Sequence, residues 1–440
     1  MAHRSDRSQH FCSPLGRVPS VFLAIILALL AAGTTWAAIG WPAEEQVNVS
    51  QSGEVAHVAL AVSNEGQPAA AWWVKIEERG DGGGNLILAR STGSGWTTET
   101  VTTTLQSRGP SLAYSGTALF LAWALGEQYT QPATAFGGRI WEWGEQGTRP
   151  VTETIFYGDE NWFRPRLKIG QDGLHLAFAA AVTSTKESPR HLFYAYRPFG
   201  SESWSVTVAI TSAQVGPGKV FFPDLAVGNG EMHLLWEQRV ISSSIYYVSG
   251  TMGANGPIWA TPVRLSDENK NSQQPAIAVD GTGRIHVAWT EWYSETKQKV
   301  LYRLFEGEAW TSEQFLSEEV LKVNQLRPTV VWPAIAARGE RVCVAWHGFY
   351  PTDAPYTVEE IFLRCSKDGG HTWGPLFNVS RSPGQLSLFP AIAIDADGRV
   401  HLAWEEFQGG NNYFYNYDAI YVRGPSEVYP VFLPLVMRNR

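Results

Sequence analysis

PAIAVDGTGRIHVAWTE, residues Pro275 to Glu291, decides the fold. Ala276 to Val279 is a short apolar run. Asp280-Gly281-Thr282-Gly283 is a turn, because glycine supplies positive φ at little steric cost. Ile285, Val287 and Trp289 then alternate with His286 and Ala288, and both sets are largely apolar. That pattern fits a strand covered on both faces, as when sheets stack on each other. A third strand is predicted over Lys299 to Phe305, then a glycine-containing hairpin and a fourth strand over Thr311 to Ser317.

The stretch recurs. Pro390 to Glu406 reads PAIAIDADGRVHLAWEE, and Pro333 to Gly348 reads PAIAARGERVCVAWHG. Weaker copies begin at Pro223, Pro165 and Pro110, and a first copy at Val58 lacks the leading proline. Their anchor aromatics are Trp72, Trp123, Phe178, Trp236, Trp289, Trp346 and Trp404, 51 to 58 residues apart. Four antiparallel strands repeated radially make a β-propeller, and this spacing lies near the longer propeller periods. The expected architecture is therefore all-β, with seven blades. Fourth strands end as PVRLS (Pro262 to Ser266), EQFLS (Glu313 to Ser317) and FNVS (Phe377 to Ser380). QVNVS, Gln46 to Ser50, has the same form, while the last repeat stops at a third strand, Ala419 to Arg423. The N-terminal segment should complete the last blade beside Tyr421 and leave no open edge. The propeller is expected over residues 46–425.

The ends carry other signals. Arg4, Arg7 and Arg17 precede an apolar run, Val21 to Ala32, and Thr35-Trp36-Ala37 suits a small-residue cleavage site. Residues 1–37 read as an export signal, or as an uncleaved anchor. Cleavage would remove three Arg and one Asp and move the net charge from −8 to −10. An acidic chain with no basic run repels nucleic acid and anionic membranes. No membrane span is expected in the mature chain once the signal is removed, and a monomer is expected. Cys343 and Cys365 fall on neighbouring predicted strands, either as a cross-strand bridge or as two small buried residues. The tail, residues 426–440, is apolar and then basic. It resembles a short C-terminal tail of many secreted bacterial proteins, which implies sorting or surface attachment. A strand packed on the propeller is the alternative.

Ser366 to Trp373 reads SKDGGHTW and matches the Asp-box pattern at Ser366, Asp368, Gly370, Thr372 and Trp373. Remnants stand at Ser91 to Trp96, Phe199 to Trp204 and Glu306 to Trp310. The chain thus resembles the Asp-box propellers, a group that includes sialidases, other glycosidases and several non-catalytic binding proteins. The motif itself is a fold staple: Asp368 accepts turn amides, Gly370 allows the bend and Trp373 tucks under the hairpin.

His175, His233, His286 and His401 share one repeat slot with Ala69, Phe120 and Cys343. Each lies on a different blade, so the slot reads as packing rather than as a metal ring. Asp395-Ala396-Asp397-Gly398 opens like a calcium loop but matches the hairpin turn at Asp280-Gly281. Neither a metal nor a cofactor is expected.

One rim should carry the links from second to third strands and from each blade to the next. It collects Glu237, Glu291, Trp292, His347, Glu405 and Glu406 after the anchors. Before the repeat prolines it collects Arg108, Arg164, Phe222, Gln273, Gln274, Arg327, Trp332 and Phe389. Aromatics and carboxylates around a depression suit a sugar. The leading expectation is a secreted or cell-surface propeller that recognises an extracellular glycan or polymer. A sialidase-like hydrolase is the second: Phe163-Arg164-Pro165 resembles that family's Phe-Arg-Ile-Pro signature without the Ile. The resemblance implies that Arg164, Arg108 and Arg327 would bind the substrate's acid group. Glu237 and Glu291 are the candidate carboxylate pair for catalysis. An extracellular interaction scaffold is the third.

Overall fold

In the computed structural model, the described residues are 39–40, 47–48, 54–75, 84–102, 107–127, 134–142, 149–150, 156–158, 164–180, 190–201, 203–205, 208–210, 218–294, 297–318, 330–350, 358–382, 385–409 and 416–425. Ala38–Arg440 forms one compact unit. The expected leader and C-terminal tail lie outside the described residues, as does Arg327. Among the described residues no helix is long and apolar enough to cross a membrane.

The chain is an all-β propeller. The repeat that contains Pro275 to Glu291 folds as Asn271–Val279, Ile285–Ser294 and Lys297–Glu306 in antiparallel order. Ala309–Trp310 and Gln314–Phe315 complete it on the outer edge. The strands are apolar on both faces because each sheet has a neighbour on either side. Val287 and Trp289 pack with Leu235 and Ile245 of the preceding repeat, while Ala288 and Tyr302 pack with Val342 and Trp346 of the following one. All seven anchor aromatics are buried to 1% exposure or less.

Six hydrogen-bonded sheets are present among the described residues, not seven. One of them holds eight strands: Ser387–Ile394, Val400–Gly409 and Asn416–Arg423, then Glu54–Val62, Pro68–Lys75, Gly84–Ser91 and Trp96–Thr102, with Val47–Asn48 paired to Asn416–Arg423. The link inside it is a single parallel pair, Glu54 with Tyr417. Val47 pairs with Tyr421 and Asn48 with Ile420, antiparallel, so the N-terminal strand does complete the last repeat. Ile39–Gly40 adds a strand the sequence did not announce, parallel to Phe377–Asn378.

Side chains stitch one repeat to the next. Tyr194, Tyr247, Tyr302 and Tyr421 each meet a tryptophan of the following repeat edge-on, at Trp259, Trp310, Trp373 and Trp96, with centroids 4.8 to 5.1 Å apart. The last of these joints links the last repeat to the first. Arg303 Nη1 donates to the Leu265 carbonyl at 2.8 Å, and Arg364 Nη1 donates to that of Leu316 at 3.0 Å. Cys343 and Cys365, opposite each other in register, are joined as a disulfide rather than left as two buried thiols.

Ser366 to Trp373 forms the hairpin the motif implied. Ser366 Oγ accepts the Gly370 amide at 2.8 Å, and Asp368 Oδ1 accepts that of Thr372 at 2.8 Å. Partial burial pushes the Asp368 carboxyl up, but hydrogen bonds from Thr372 and Ser366 outweigh it and bring it down to about 2. Trp373 Nε1 donates to Gln314 of the preceding repeat at 2.8 Å.

Candidate functional site

The site begins with a backbone irregularity. Residues before the repeat prolines were expected on a connecting rim. They lie instead within or beside the first strands, and six of those strands carry a register shift at this place. His57, Phe222, Gln274, Trp332 and Phe389 adopt φ of 45° to 58° there, as does Gly109 at 56°. Such φ is uncommon for residues with a Cβ and costs on the order of 1–3 kcal/mol each. A bulge re-aims a side chain. Here the repeat slot, filled by His57, Gly109, Arg164, Phe222, Gln274, Trp332 and Phe389, contributes one residue from each of seven repeats to a single cavity of about 220 Å³.

Aromatic rings and the Arg164 guanidinium share part of its wall. Phe222 meets Trp332 edge-on at 4.8 Å, and Trp332 meets Phe389 at 5.2 Å. The Arg164 guanidinium lies 4.8 Å from the Trp332 ring and 5.5 Å from that of Phe222. Arg164 Nε is buried without a hydrogen-bond partner. Burial, with Arg166 beside it, pushes this guanidinium down to about 9 against a weaker pull from Glu405.

Two of the carboxylates expected on the rim, Glu237 and Glu405, accept bulge amides. Glu237 is fully buried; its Oε1 accepts from Ser243 Oγ at 2.6 Å and Arg239 Nη2 at 2.7 Å. Its Oε2 accepts the bulge amide of Gln274 in the next repeat at 3.2 Å. Gln274 Oε1 accepts the Trp332 amide in turn, at 3.1 Å. Glu405 of the last repeat accepts the His57 amide of the first at 2.6 Å, and burial pushes its carboxyl up to about 8. Glu291 is 1% exposed and pairs with Lys299 Nζ at 3.0 Å. Glu406 accepts from Ser387 Oγ and Trp404 Nε1 at 2.6 and 2.7 Å. Neither Glu237 nor Glu291 lines the cavity, so the two are not brought together there.

The remaining candidates are dispersed. His347 is buried, with Nδ1 on Glu359 at 2.5 Å and its ring edge-on to Phe389 at 5.1 Å. Trp292 is half-buried outside the cavity, its Nε1 donating to Gln273 Oε1 at 3.3 Å. Arg108 sits on the first strand of the second repeat, opposite Ala124.

The histidine slot has chemistry the sequence did not reveal. His286 bonds Tyr302 Oη at 2.8 Å and Asp280 at 3.2 Å; His401 bonds Tyr421 Oη at 2.7 Å and Asp395 at 3.0 Å. His175 and His233 bond Tyr194 and Tyr247 at 2.6 and 2.9 Å. These are buried ties between turn, second strand and third strand. The Asp395 turn is a hairpin, its Oδ1 accepting the Arg399 amide at 2.8 Å. Among the described residues no group of three His, Cys, Asp or Glu is placed to hold a metal ion.

Two further cations line the cavity, Arg166 and Lys168. The sequence reading passed over them. Their signal was the alternation in Arg166-Leu167-Lys168, which puts two bases on one face of a strand just after Arg164.

No family model and no curated protein matches this sequence. Solved structures do match. The polysaccharide lyase Uly1 aligns with a TM-score of 0.54 at 9% identity, over 88% of this chain and 100% of that one. A protein of unknown function from Dyadobacter fermentans aligns at 0.49 and 12% identity, over 88% and 99%. The NanB sialidase of Streptococcus pneumoniae aligns at 0.46 and 9% identity, over 87% and 70%. The alignment with Uly1 is a likeness of fold alone.

Proposed function

We propose that the protein is an extracellular propeller that recognises a glycan in its axial cavity without cleaving it. The carrying observation is the convergence of one slot residue per repeat on a single cavity walled by Phe222, Trp332 and Phe389. Ring faces of this kind suit the C–H faces of a sugar, and a few polar groups among apolar walls suit orientation. At about 220 Å³ the cavity is smaller than the ~300–1,000 Å³ sites that take drug-sized ligands, which favours a chain end over a long internal segment. Binding is favoured over hydrolysis because Glu237 and Glu291 are tied up in ion pairs and outside the cavity.

Seven blades are the reading of the repeat that fits this site. The eight-stranded sheet then counts as two blades joined at Glu54 and Tyr417, and the propeller spans residues 46–425. An exported location, with residues 1–37 as leader and residues 426–440 as a sorting tail, agrees with the Cys343–Cys365 disulfide, which persists in oxidising compartments. The Ser366–Trp373 hairpin is read as an Asp box.

A glycan array combined with a fluorogenic sialoside assay tests the function. Binding without turnover is the expected result, and Trp332→Ala should weaken it by about 1–3 kcal/mol, the scale of burying one large side chain. Sialoside turnover would replace this reading with the hydrolase. Silence in both assays would shift it to a protein-interaction scaffold.

A further inference from the structure

The two sulfurs of the Cys343–Cys365 bridge differ in access. Cys343 is fully buried, packed with Val400 and Leu402 of the following repeat in one apolar cluster. Cys365 is 7% exposed and lines a second cavity, of about 200 Å³, that shares no residue with the axial one. Arg341, Lys367, Trp373, Pro375 and Phe377 line it too. Thiol–disulfide exchange starts when a thiolate attacks one sulfur of a bridge, and access decides which sulfur that is. Here it is the sulfur of Cys365.

Charge selects the attacking thiol. Both charged residues that line this cavity, Arg341 and Lys367, are basic. The Arg341 guanidinium is fixed by a hydrogen bond to the Gly398 carbonyl of the following repeat, and Lys367 is exposed. Asp368, next in the chain, is turned into its own hairpin, where it accepts from Ser366 Oγ at 2.7 Å and from the Thr372 amide at 2.8 Å. Two cations around a reachable sulfur draw in a thiolate, and more so one that carries a second negative group. Volume sets the size of that thiol: about 200 Å³ lies below the ~300–1,000 Å³ of sites that take drug-sized ligands. The Cys365 carbonyl accepts the Gly374 amide at 2.9 Å, so the backbone beside the sulfur is pinned independently of the bridge.

We propose that Cys365 is a thiol-exchange site, which takes a small thiol bearing a carboxylate or a sulfonate as a reversible mixed disulfide. The thiolate sulfur bonds to Cys365 Sγ and the bond between the two cysteines breaks. Its electron pair leaves on Cys343 Sγ, which takes a proton from water. The incoming sulfur is oxidised and Cys343 is reduced, so the exchange needs no further oxidant. Apolar surroundings favour the neutral thiol at Cys343. Strand pairing keeps Cys343 opposite Cys365, at a high effective concentration, so the bridge re-forms when free thiol is withdrawn. This site is independent of the glycan reading.

The full chain is incubated at mildly alkaline pH with 3-mercaptopropionate, 2-mercaptoethanesulfonate, 2-mercaptoethanol or cysteamine. Samples are quenched with acid at early times and read by intact mass and peptide mapping. Each rate is divided by that thiol's rate on hydroxyethyl disulfide, which removes differences in intrinsic reactivity. The expected product carries one added thiol on Cys365 and none on Cys343. The anionic thiols should react about 10-fold or more faster than cysteamine on this scale, with 2-mercaptoethanol between them. The spread should shrink as salt rises. Comparing the two anionic thiols tells carboxylate from sulfonate. Lys367→Gln, at an exposed position, should reduce the preference about 3-fold, and Cys343→Ser, which removes the bridge, should gain no thiol. The absence of an adduct on Cys365, or an adduct on Cys343, would overturn the site. Equal relative rates for all four thiols, or an unchanged preference in Lys367→Gln, would overturn the anionic selectivity, and both are readable even if Cys343→Ser failed to fold. An adduct that survived removal of free thiol before the quench would overturn the reversibility. None of these outcomes bears on glycan binding.

Discussion

Gly370 has φ of 92°, and a Cβ added there would stand 1.9 Å from Tyr302 Oη. Gly93 occupies the related hairpin of the first repeat at φ 86°, with nothing within 4 Å of an added Cβ. Gly93→Ala therefore meets backbone strain alone, on the order of 1 kcal/mol. Gly370→Ala adds overpacking and should lose about 2–4 kcal/mol in chemical denaturation. Equal losses would mean that the Tyr302 contact does not matter. Protonation supplies a second test. Glu405 is held near 8 by burial, from a usual value of 4.5, and Glu360 and Glu406 are also raised by burial. The native state keeps the Glu405 proton while the unfolded chain has released it, so this contribution to stability falls as pH rises from about 4.5 to about 8. Burial lowers His175, His233 and His401 from 6.5, His233 to about 4, so their contribution falls as pH drops below 6.5. Between pH 6.5 and 8 Glu405 is the group whose raised carboxyl acts. The melting temperature should decline across that window, and Glu405→Gln, which keeps an oxygen for the His57 amide, should decline less steeply. Parallel pH curves would remove Glu405 from the account.

At the scale of the strand, the serine that ends each fourth strand has a job that its recurrence hinted at. Ser266, Ser317 and Ser380 are buried, and their hydroxyls accept the amides of Ile245, Val300 and Ile361 at 2.9 to 3.0 Å. These amides belong to third strands and would otherwise be orphaned. Ser317→Ala should cost about 1–3 kcal/mol, the penalty for a buried unsatisfied donor, read from urea denaturation midpoints. The sixth repeat replaces the histidine tie of its neighbours with the Cys343–Cys365 bridge across a separation of 22 residues. Reduction should lower stability by about 2–4 kcal/mol, and an unchanged melt with and without reductant would show that the bridge constrains little. The strand pattern was legible because apolar alternation, turn glycines and terminal serines are local. The choice between bridge and buried thiols was not, because it depends on register: Cys343 stands opposite Cys365 only once the strands pair.

Seven hydrophobic clusters are present among the described residues, and each joins two consecutive repeats. One of them unites Trp72 of the first repeat with Ala403 and Tyr421 of the last. Every repeat thus depends on its neighbours, and the ring depends on its closure at Val47–Asn48. A chain starting at residue 51 should melt lower and self-associate through the exposed edge of Asn416–Arg423, measured by calorimetry and size-exclusion chromatography. If that truncation melted like the full chain, the closing strand would be dispensable. The repeat period, the aromatic anchors and the closing strand beside Tyr421 could all be read in the sequence, since each is a pattern along the chain that burial imposes on its own segment. The cavity lining was legible in part: Arg164, Phe222, Gln274, Trp332 and Phe389 stand before or beside the repeat prolines and do line it, but how they converge could not be read. It needed bulges at residues such as Phe222 and Trp332, whose identity does not announce a positive φ. It also needed the radial arrangement that sends Glu237 and Glu405 to neighbouring amides and leaves Arg164, Arg166 and Lys168 around the axis. Which polar groups become structural ties is settled by contacts between repeats, 37 residues apart for Glu237 with Gln274 and 348 for Glu405 with His57, and the second exists only when the ring is closed.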